Sequence, residues 1–342
     1  MPRAKPDSKP IMQHPRPRSR LRTFPLSALG ALALVGLALT GCNRKSDAPT
    51  EPAQTNGQAQ STAKQVEQEV QLPLGASRPA LWKLSDDDTT IFLFGGVHML
   101  PTGLDWQSGM VNEVINSADM LVLELSPEEQ AKAPDVLASI AADSPQDPIE
   151  ERIPPQFVGE FEKLASRTRI SRAQLDGMES WAAALMLGNA VSRNAALSLD
   201  NGTEKQLTKR FEAQGKPVSG LETAEYQLGL FDSLSQQTQD ILLARTIGDA
   251  DTASAKFDRL IAAWAKGDTD SVAYYADSEL RAVPGLALPL LTRRNQQWAA
   301  WIRDRMEAPG TILIAVGTGH LVGDDSVQSM LEAQGYKVER VQ

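Results

Sequence analysis

The fold is decided by residues 89–124, TTIFLFGGVHMLPTGLDWQSGMVNEVINSADMLVLE. A β-prone run over 89–94 ends in a glycine loop, and apolar side chains then recur at helical spacing over 107–118. The continuous apolar run 120–123 follows and ends in Glu124. A strand, a helix and a second strand in this order form a crossover unit, so the sequence predicts two parallel strands.

A second apolar run, TILIAV at 311–316, leads into Gly317-Thr318-Gly319-His320 near the end of the chain. Shorter strands are predicted at 80–84 and 216–222, and a last alternating strand at 336–341. The middle of the chain is predicted to be helical over 128–140, 156–166, 181–195, 203–214, 225–245, 252–265, 270–279 and 289–306. The predicted class is α/β, with a mixed, partly parallel central sheet and a large helical excursion between its N- and C-terminal sheet-forming segments.

Composition excludes several classes of protein. The 342 residues include one cysteine and three histidines, which excludes a disulfide scaffold and any Cys-cluster metal site. The net charge is −9, although seven cations stand in residues 1–41, so the remainder is strongly acidic. An acidic body without a basic stripe indicates that nucleic acid is not a partner.

Residues 1–41 have the pattern of a signal peptide. The uncharged run 26–39, LSALGALALVGLAL, follows a cationic stretch and is shorter than the roughly 20 residues that span a bilayer. It ends in Leu39-Thr40-Gly41-Cys42, which resembles the bacterial lipoprotein processing box. We expect lipidation of Cys42 and anchoring on the periplasmic side; Asn43 after it favours the outer membrane. The alternative is an ordinary signal peptide with an incidental thiol.

Residues 42–77 are predicted to be a disordered tether, and 78–342 one folded domain. The tether is rich in Gln, Ala, Thr and Pro with almost no large apolar side chains. Such a segment cannot bury enough surface to offset its ordering entropy.

Four polar side chains follow predicted strands: His98, Glu124, Glu222 and His320. Functional groups gather beyond the carboxyl ends of parallel strands. Histidine is the commonest metal ligand and transfers protons near neutral pH, and two histidines with a carboxylate leave coordination positions open for water or substrate. The structural alternatives are hydrogen-bonded histidines, a surface role for Glu124, and a helix-capping role for Glu222.

Other motifs are weaker. The glycines after residue 316 resemble a dinucleotide loop, but too few residues follow for the rest of that fold. A Gly-x-Ser-x-Gly elbow and a His-Glu-x-x-His helix are both missing from the sequence. The aromatic residues predicted to lie in the core or to line a groove are Trp181, Trp264, Trp298 and Trp301.

Several motifs in a fixed order carry a family resemblance. They are Ala80-Leu81-Trp82-Lys83, Gly95-Gly96-Val97-His98, Leu121-Val122-Leu123-Glu124, Gly220-Leu221-Glu222-Thr223 with Gln227, Trp264 with Gly267-Asp268, Arg294-Asn295 before Trp298, Gly317-Thr318-Gly319-His320-Leu321-Val322-Gly323, and Gly335-Tyr336. On these residues the sequence resembles the TraB/GumN family, related to the Tiki-type metalloproteases, over 78–342.

The resemblance implies a mixed α/β fold in which the paired Gly-x-x-His histidines and the strand-end glutamate form the site. For Tiki-like relatives it also implies divalent-metal-dependent peptide cleavage. We therefore expect a divalent ion (Mn, Co, Zn or Fe) on His98, Glu124 and His320, and a peptide or small-molecule substrate. The catalytic candidates are Glu124, Glu222 as base or orienting group, and Arg294, whose alternative is a surface ion pair; the loop glycines are Gly95, Gly96, Gly317 and Gly319.

Two other functions remain open. The same cleft could bind a peptide or a haem-like ligand without turnover, using the histidines as axial ligands. It could also serve an esterase-like hydrolase acting on a small molecule.

The chain departs from the family pattern at two places. The family often has Gly-Thr where Gly95-Gly96 stands, and Gly-x-Asp where Gly202-Thr203-Glu204 stands. The second departure puts a role for Glu204 in doubt.

Overall fold

The computed structural model describes residues 75–142, 146–194 and 197–342, and within them the predicted α/β class is confirmed. The predicted signal peptide, Cys42 and the predicted tether up to residue 74 lie outside the described residues. In the described part, six strands form one sheet in the order β6-β5-β7-β3-β2-β8, and β1 pairs with β4. The strands are β1 Gly75–Ala76, β2 Leu81–Ser85, β3 Thr89–Gly96, β4 Leu104–Asp105, β5 Met120–Leu125, β6 Val218–Glu222, β7 Gly310–Gly317 and β8 Glu339–Arg340.

The centre of the sheet is parallel and its other edge is antiparallel. β3, β7, β5 and β6 run in one direction, whereas β2 is antiparallel to β3 and to β8. The predicted parallel orientation of β3 and β5 is confirmed, but β7 lies between them. The run 312–316 of β7 is at most 1% exposed, as expected for a strand covered on both faces.

The helices form the excursion between the sheet segments and cover the sheet. In the described ranges the α-helices are α1 Gly109–Ser117, α2 Pro127–Ile140, α3 Val158–Thr168, α4 Arg172–Asp176, α5 Ser180–Asn194, α6 Thr203–Ala213, α7 Ala224–Asp232, α8 Gln236–Gly248, α9 Ala253–Ala265, α10 Thr269–Arg281, α11 Arg293–Arg305 and α12 Val327–Glu332. None of the helices in these ranges has the length and apolarity needed to cross a bilayer.

Three sequence predictions of element bounds were wrong. The helix predicted over 225–245 is two helices, because the Ser235 side chain accepts the Thr238 N–H and starts α8. The helix predicted over 289–306 begins instead with a π-helical turn, Leu288–Thr292, before α11. The last strand pairs only over Glu339–Arg340.

Apolar clusters pack on both faces of the sheet. On one face Phe94 and Trp106 are stacked and Trp264 meets both rings edge to face, with ring centroids 5.4–6.4 Å apart. On the other, α11 and α12 pack with buried residues such as Trp298. Trp264 also donates its indole N–H to the carbonyl of Gly95, at 2.7 Å, and so ties this core to the first glycine motif.

Trp264→Phe should therefore lower the free energy of unfolding by about 2 kcal/mol, because it leaves a buried carbonyl without its donor. Urea denaturation followed by circular dichroism measures the change. Trp301→Phe is the matched control, since Trp301 is only partly buried at the edge of its cluster. Equal losses in the two variants would contradict the role given to the Trp264 bond.

Candidate functional site

The four predicted side chains lie at the carboxyl-end edge of the parallel strands. His98 follows β3, Glu124 stands at the end of β5, and Glu222 is the last residue of β6. His320 lies in a short 3₁₀ turn, Thr318–Leu321, directly after β7. Because β7 lies between β3 and β5, the second histidine motif is brought between the first one and Glu124.

The side chains of the cluster come closest together at a point beside Gly317. A Cβ atom at Gly317 would lie 3.1 Å from Glu124 Oε1, 3.6 Å from His98 Nε2 and 3.6 Å from His320 Cδ2. The structure therefore brings together three side chains from three strand ends. Gly317 leaves this space free of any side chain of its own.

Glu124 is a buried carboxylate with a full set of donors. Oε1 accepts the backbone N–H of Gly317 at 2.7 Å; Oε2 accepts from Arg294 Nη2 at 2.5 Å and from Gln227 Nε2 at 3.1 Å. Burial favours its neutral form, but Arg294, His320, His98 and the Gly317 N–H outweigh burial and lower the pKa of Glu124 well below its ordinary value. Glu124 is therefore ionised at neutral pH.

Glu222 also accepts several hydrogen bonds and does not cap the next helix. Trp298 Nε1 donates to Oε1 at 2.9 Å, and Gln227 Nε2 donates to Oε2 at 2.8 Å. Arg294 adds Nε and Nη2 bonds of 2.9–3.2 Å to the same carboxylate. The N-cap of α7 is Thr223 instead, whose side chain accepts the Tyr226 N–H. This arrangement suits an orienting group better than a base.

Arg294 lies at the start of α11 and is 7% exposed, so it is not a surface ion pair. Its guanidinium joins the carboxylates of Glu124 and Glu222 and packs on the Trp298 ring at 4.7 Å. Burial opposes the charge, but the two carboxylates outweigh it and raise the pKa of Arg294. Arg294 is the fixed cation of the cluster.

Asn295 holds the His320 ring in one tautomer. The Asn295 amide N–H₂ donates to the carbonyls of His320 and Asp325, so its Oδ1 faces His320 Nδ1 at 2.5 Å. Nδ1 therefore carries the proton, and Nε2 presents its lone pair to Arg294 Nη1 at 3.1 Å. Burial and Arg294 lower the pKa of His320 to about 3.

His98 is paired with Glu204 on α6. Its Nδ1 lies 3.2 Å from Glu204 Oε1, although the two are not aligned for a hydrogen bond, and neither atom has another hydrogen-bond partner among the described residues. Burial disfavours the imidazolium, but Glu204 and then Glu124 outweigh burial and raise the pKa of His98 to about 9. Glu204, which the sequence left in doubt, is thus the nearest carboxylate to His98 Nδ1.

Other residues around the cluster were either missed by the sequence analysis or predicted only as loop or core residues. Sequence reasoning assigned no role to Gln227, Asn295 or Glu204, although all three stand in or beside the motifs quoted for the family. The loop glycines allow close packing: a Cβ at Gly95 would lie 2.8 Å from Thr318 Oγ1. Trp181, Trp264 and Trp298 are buried in the core, which was one of the two predicted positions, the other being the lining of a groove.

A cavity of about 500 Å³ opens beside the second histidine motif. Gly319 lines it, together with residues of α10 and of the loop after His320. Tyr274 on α10 is 70% exposed at this cavity, and Asp270 and Asp324 add negative charge. The side chains of His98, Glu124 and His320 do not line this cavity, which adjoins the cluster through Gly319, the residue before His320.

The residue types of the site suit a divalent ion, but in this structure they are not arranged as a set of three ligands. Metal-binding histidines usually anchor one ring nitrogen on an oxygen and present the other, and both rings here have Nδ1 against an oxygen, of Glu204 and of Asn295. Within 75–142, 146–194 and 197–342, no three His, Cys, Asp or Glu side chains form a group that could hold an ion. Arg294 occupies the Nε2 side of His320, so binding through that nitrogen requires the release of one hydrogen bond.

The comparison with known families agrees with this fold and motif order. The model of the TraB/PrgY/gumN family matches residues 80–340, which include every residue of the site. The chain belongs to the TraB/PrgY/gumN family.

Two curated relatives are similar over most of the folded part. The protein YbaP of Escherichia coli (strain K12), described as uncharacterized, is 24% identical over 243 residues, which cover 70% of this chain and 86% of the relative. YbaP of Shigella flexneri matches with the same values. No solved structure matches the chain.

The pKa of His98 predicts how stability depends on pH in metal-depleted protein. The pKa of His98 is about 9 in the folded protein, against an ordinary value of 6.5. Protonated His98 therefore stabilises the folded state fully below pH 6.5, and this contribution is lost as the pH rises to 9. We expect the free energy of unfolding to fall over this interval by up to about 1.4 kcal/mol per pH unit.

His98→Gln should flatten that decline, as measured by urea denaturation at a series of pH values. Lys337→Gln, at an exposed position, is the control and should leave the slope as it is. An unchanged slope in His98→Gln would contradict the assignment.

Proposed function

We propose that the protein is a membrane-anchored hydrolase of peptide bonds that depends on a divalent metal ion. The observation that carries the proposal is the meeting of two histidines and Glu124 around one point, with Nδ1 of His320 hydrogen-bonded to Asn295 and Nδ1 of His98 facing Glu204. Family membership supports the fold and the motif order; the reaction and the metal are our inference.

His98 would hold the ion through Nε2 after losing the proton that its raised pKa keeps on the ring, His320 through Nε2, and Glu124 through a carboxylate oxygen. A bound divalent ion of this kind lowers the pKa of water and polarises a carbonyl. The two imidazoles and one carboxylate suit Mn, Co, Zn or Fe.

The side chains around these three orient them and stabilise charge. Asn295 fixes His320 in the tautomer that leaves Nε2 unprotonated, and Glu204 faces His98 Nδ1. Arg294 keeps an N–H group next to the ligands, where it would stabilise the oxyanion that forms when the carbonyl is attacked. Glu222 holds Arg294 in place.

The cavity beside Gly319 is the basis for proposing a peptide substrate longer than one amino acid. Its volume of about 500 Å³ lies within the range of small-ligand sites. The exposed Tyr274 ring offers an apolar and stacking surface to a side chain of an extended peptide.

Glu124→Gln should abolish peptide hydrolysis and lower the bound metal per chain, because the amide removes both the charge and the anionic ligand. Purified full-length protein in detergent is incubated with a peptide library, and products are measured by mass spectrometry together with the metal content. Glu339→Gln makes the same chemical change at an exposed carboxylate and should retain full activity.

Glu204→Gln should lower activity or metal affinity by about 10–100-fold, the usual effect of losing a partner of a metal ligand. Hydrolysis that persists after metal removal would exclude the metal dependence. Haem binding, seen as a visible absorption band lost in His98→Ala and His320→Ala, without peptide products would favour the non-catalytic alternative; cleavage of small esters alone would favour the esterase-like one.

We also propose that the enzyme is tethered to the membrane through acyl chains on Cys42. Several acyl chains on one residue anchor stably, whereas a single chain does not. The processing box at 39–42 and the apolar run before it support this proposal.

Cys42→Ser should move the protein from the membrane pellet to the soluble fraction, as measured by ultracentrifugation and immunoblotting. Asn43→Ser, at the next residue, is the control and should still pellet. Pelleting of Cys42→Ser would exclude the lipid anchor.

A further inference from the structure

The site already contains a buried cation whose donors are all occupied. Arg294 Nε and Nη2 bind Glu222, Nη2 also binds Glu124 Oε2 at 2.5 Å, and Nη1 donates to the carbonyl of Leu290 at 3.2 Å and contacts His320 Nε2 at 3.1 Å. This guanidinium balances carboxylates that are themselves buried. It therefore supplies the positive charge that the cluster needs when no ion is bound.

The contact with His320 has a consequence for any metal. An imidazole nitrogen has one lone pair, and Asn295 fixes the His320 proton on Nδ1, so Nε2 has one acceptor position. Arg294 Nη1 occupies that position. An ion on His320 Nε2 and this Arg294 contact exclude each other.

The space beside Gly317 is where the three side chains come closest together. The space beside Gly317 is bordered by His98 Nε2, Glu124 Oε1 and the His320 ring, all within 4 Å of the missing Cβ. The segment before Arg294 is the π-helical turn Leu288–Thr292, a form frequent at functional sites. The paired bonds to Glu222 would still hold the guanidinium after Nη1 is released.

We propose that Arg294 is a resident cation that closes the metal-free site and that a divalent ion must displace it from His320. This inference rests on the proposed function, because it concerns the same three ligands. Arg294 sets the affinity of the site: it stabilises the metal-free protein and competes with the ion. Once displaced, its Nη1 N–H is available to the oxyanion.

Arg294→Gln should therefore tighten Mn²⁺ binding by about tenfold or more, within the range of coupling between competing groups. Metal-depleted full-length protein in detergent is titrated with Mn²⁺ by isothermal calorimetry. The same variant should unfold at a lower temperature without metal and recover on adding Mn²⁺. Arg293→Gln, at the exposed neighbour, is the matched control and should change neither value.

The outcomes separate this inference from the proposed function. If unaltered protein binds Mn²⁺ and folded Arg294→Gln binds it no tighter, the resident-cation role is overturned and the metal site stands. If only Arg294→Gln binds Mn²⁺, the resident cation is supported and a metal-dependent native enzyme is excluded. If neither binds, both fail.

A measurement on the unaltered protein covers the case in which the variant does not fold. Nitrogen-15 spectra are recorded while Zn²⁺ is added to metal-depleted protein. The signals of His320 Nε2 and of the Arg294 guanidinium should change together, at the same Zn²⁺ concentration. A change of the His320 signal with a constant Arg294 signal would overturn the inference.

Discussion

The ion pairs that Arg294 makes with Glu124 and Glu222 are the constraint on which the rest of the site depends. They join α11 to the ends of β5 and β6, across 170 and 72 residues of sequence. Removing one partner of a buried pair typically costs about 3–5 kcal/mol, since the other charge remains without compensation. Gln227 and Trp298 donate to these carboxylates and satisfy further lone pairs. The charged cluster is therefore fixed only when sheet and helix are packed together.

The strand order turns sequence-distant motifs into neighbours. β7 pairs with β3 on one side and β5 on the other, so both glycine motifs and Glu124 end at one edge. The pairing depends on a strand that is apolar on both faces, and 312–316 meets that requirement. The same burial that makes β7 central also removes water from around the residue that follows it, His320, and so keeps that ring neutral.

The sequence predicted the features that a local residue pattern determines. It missed the contacts that form only when helices pack against the sheet. The β3, β5 and β7 runs and the polar residue after each are local features, and the α/β class follows from them. Asn295 and Glu204 acquire their roles because α11 and α6 dock beside the histidines, and no local spacing predicts that contact. The break before Ser235 was missed because no glycine or proline stands at 230–240, and only the Ser235 side-chain cap marks the start of the second helix.

The two departures from the family pattern lie next to each other in space. A Cβ atom at Gly96 would collide with Thr203 Oγ1 and would lie 2.6 Å from Glu204 Oε1. The resemblance implies a residue with a Cβ at position 96 and the shorter Asp at position 204. This chain has the longer carboxylate, and glycine at 96 removes the atom with which it would collide. In this chain Glu204 is thus accommodated beside His98 Nδ1 because no side chain stands at position 96.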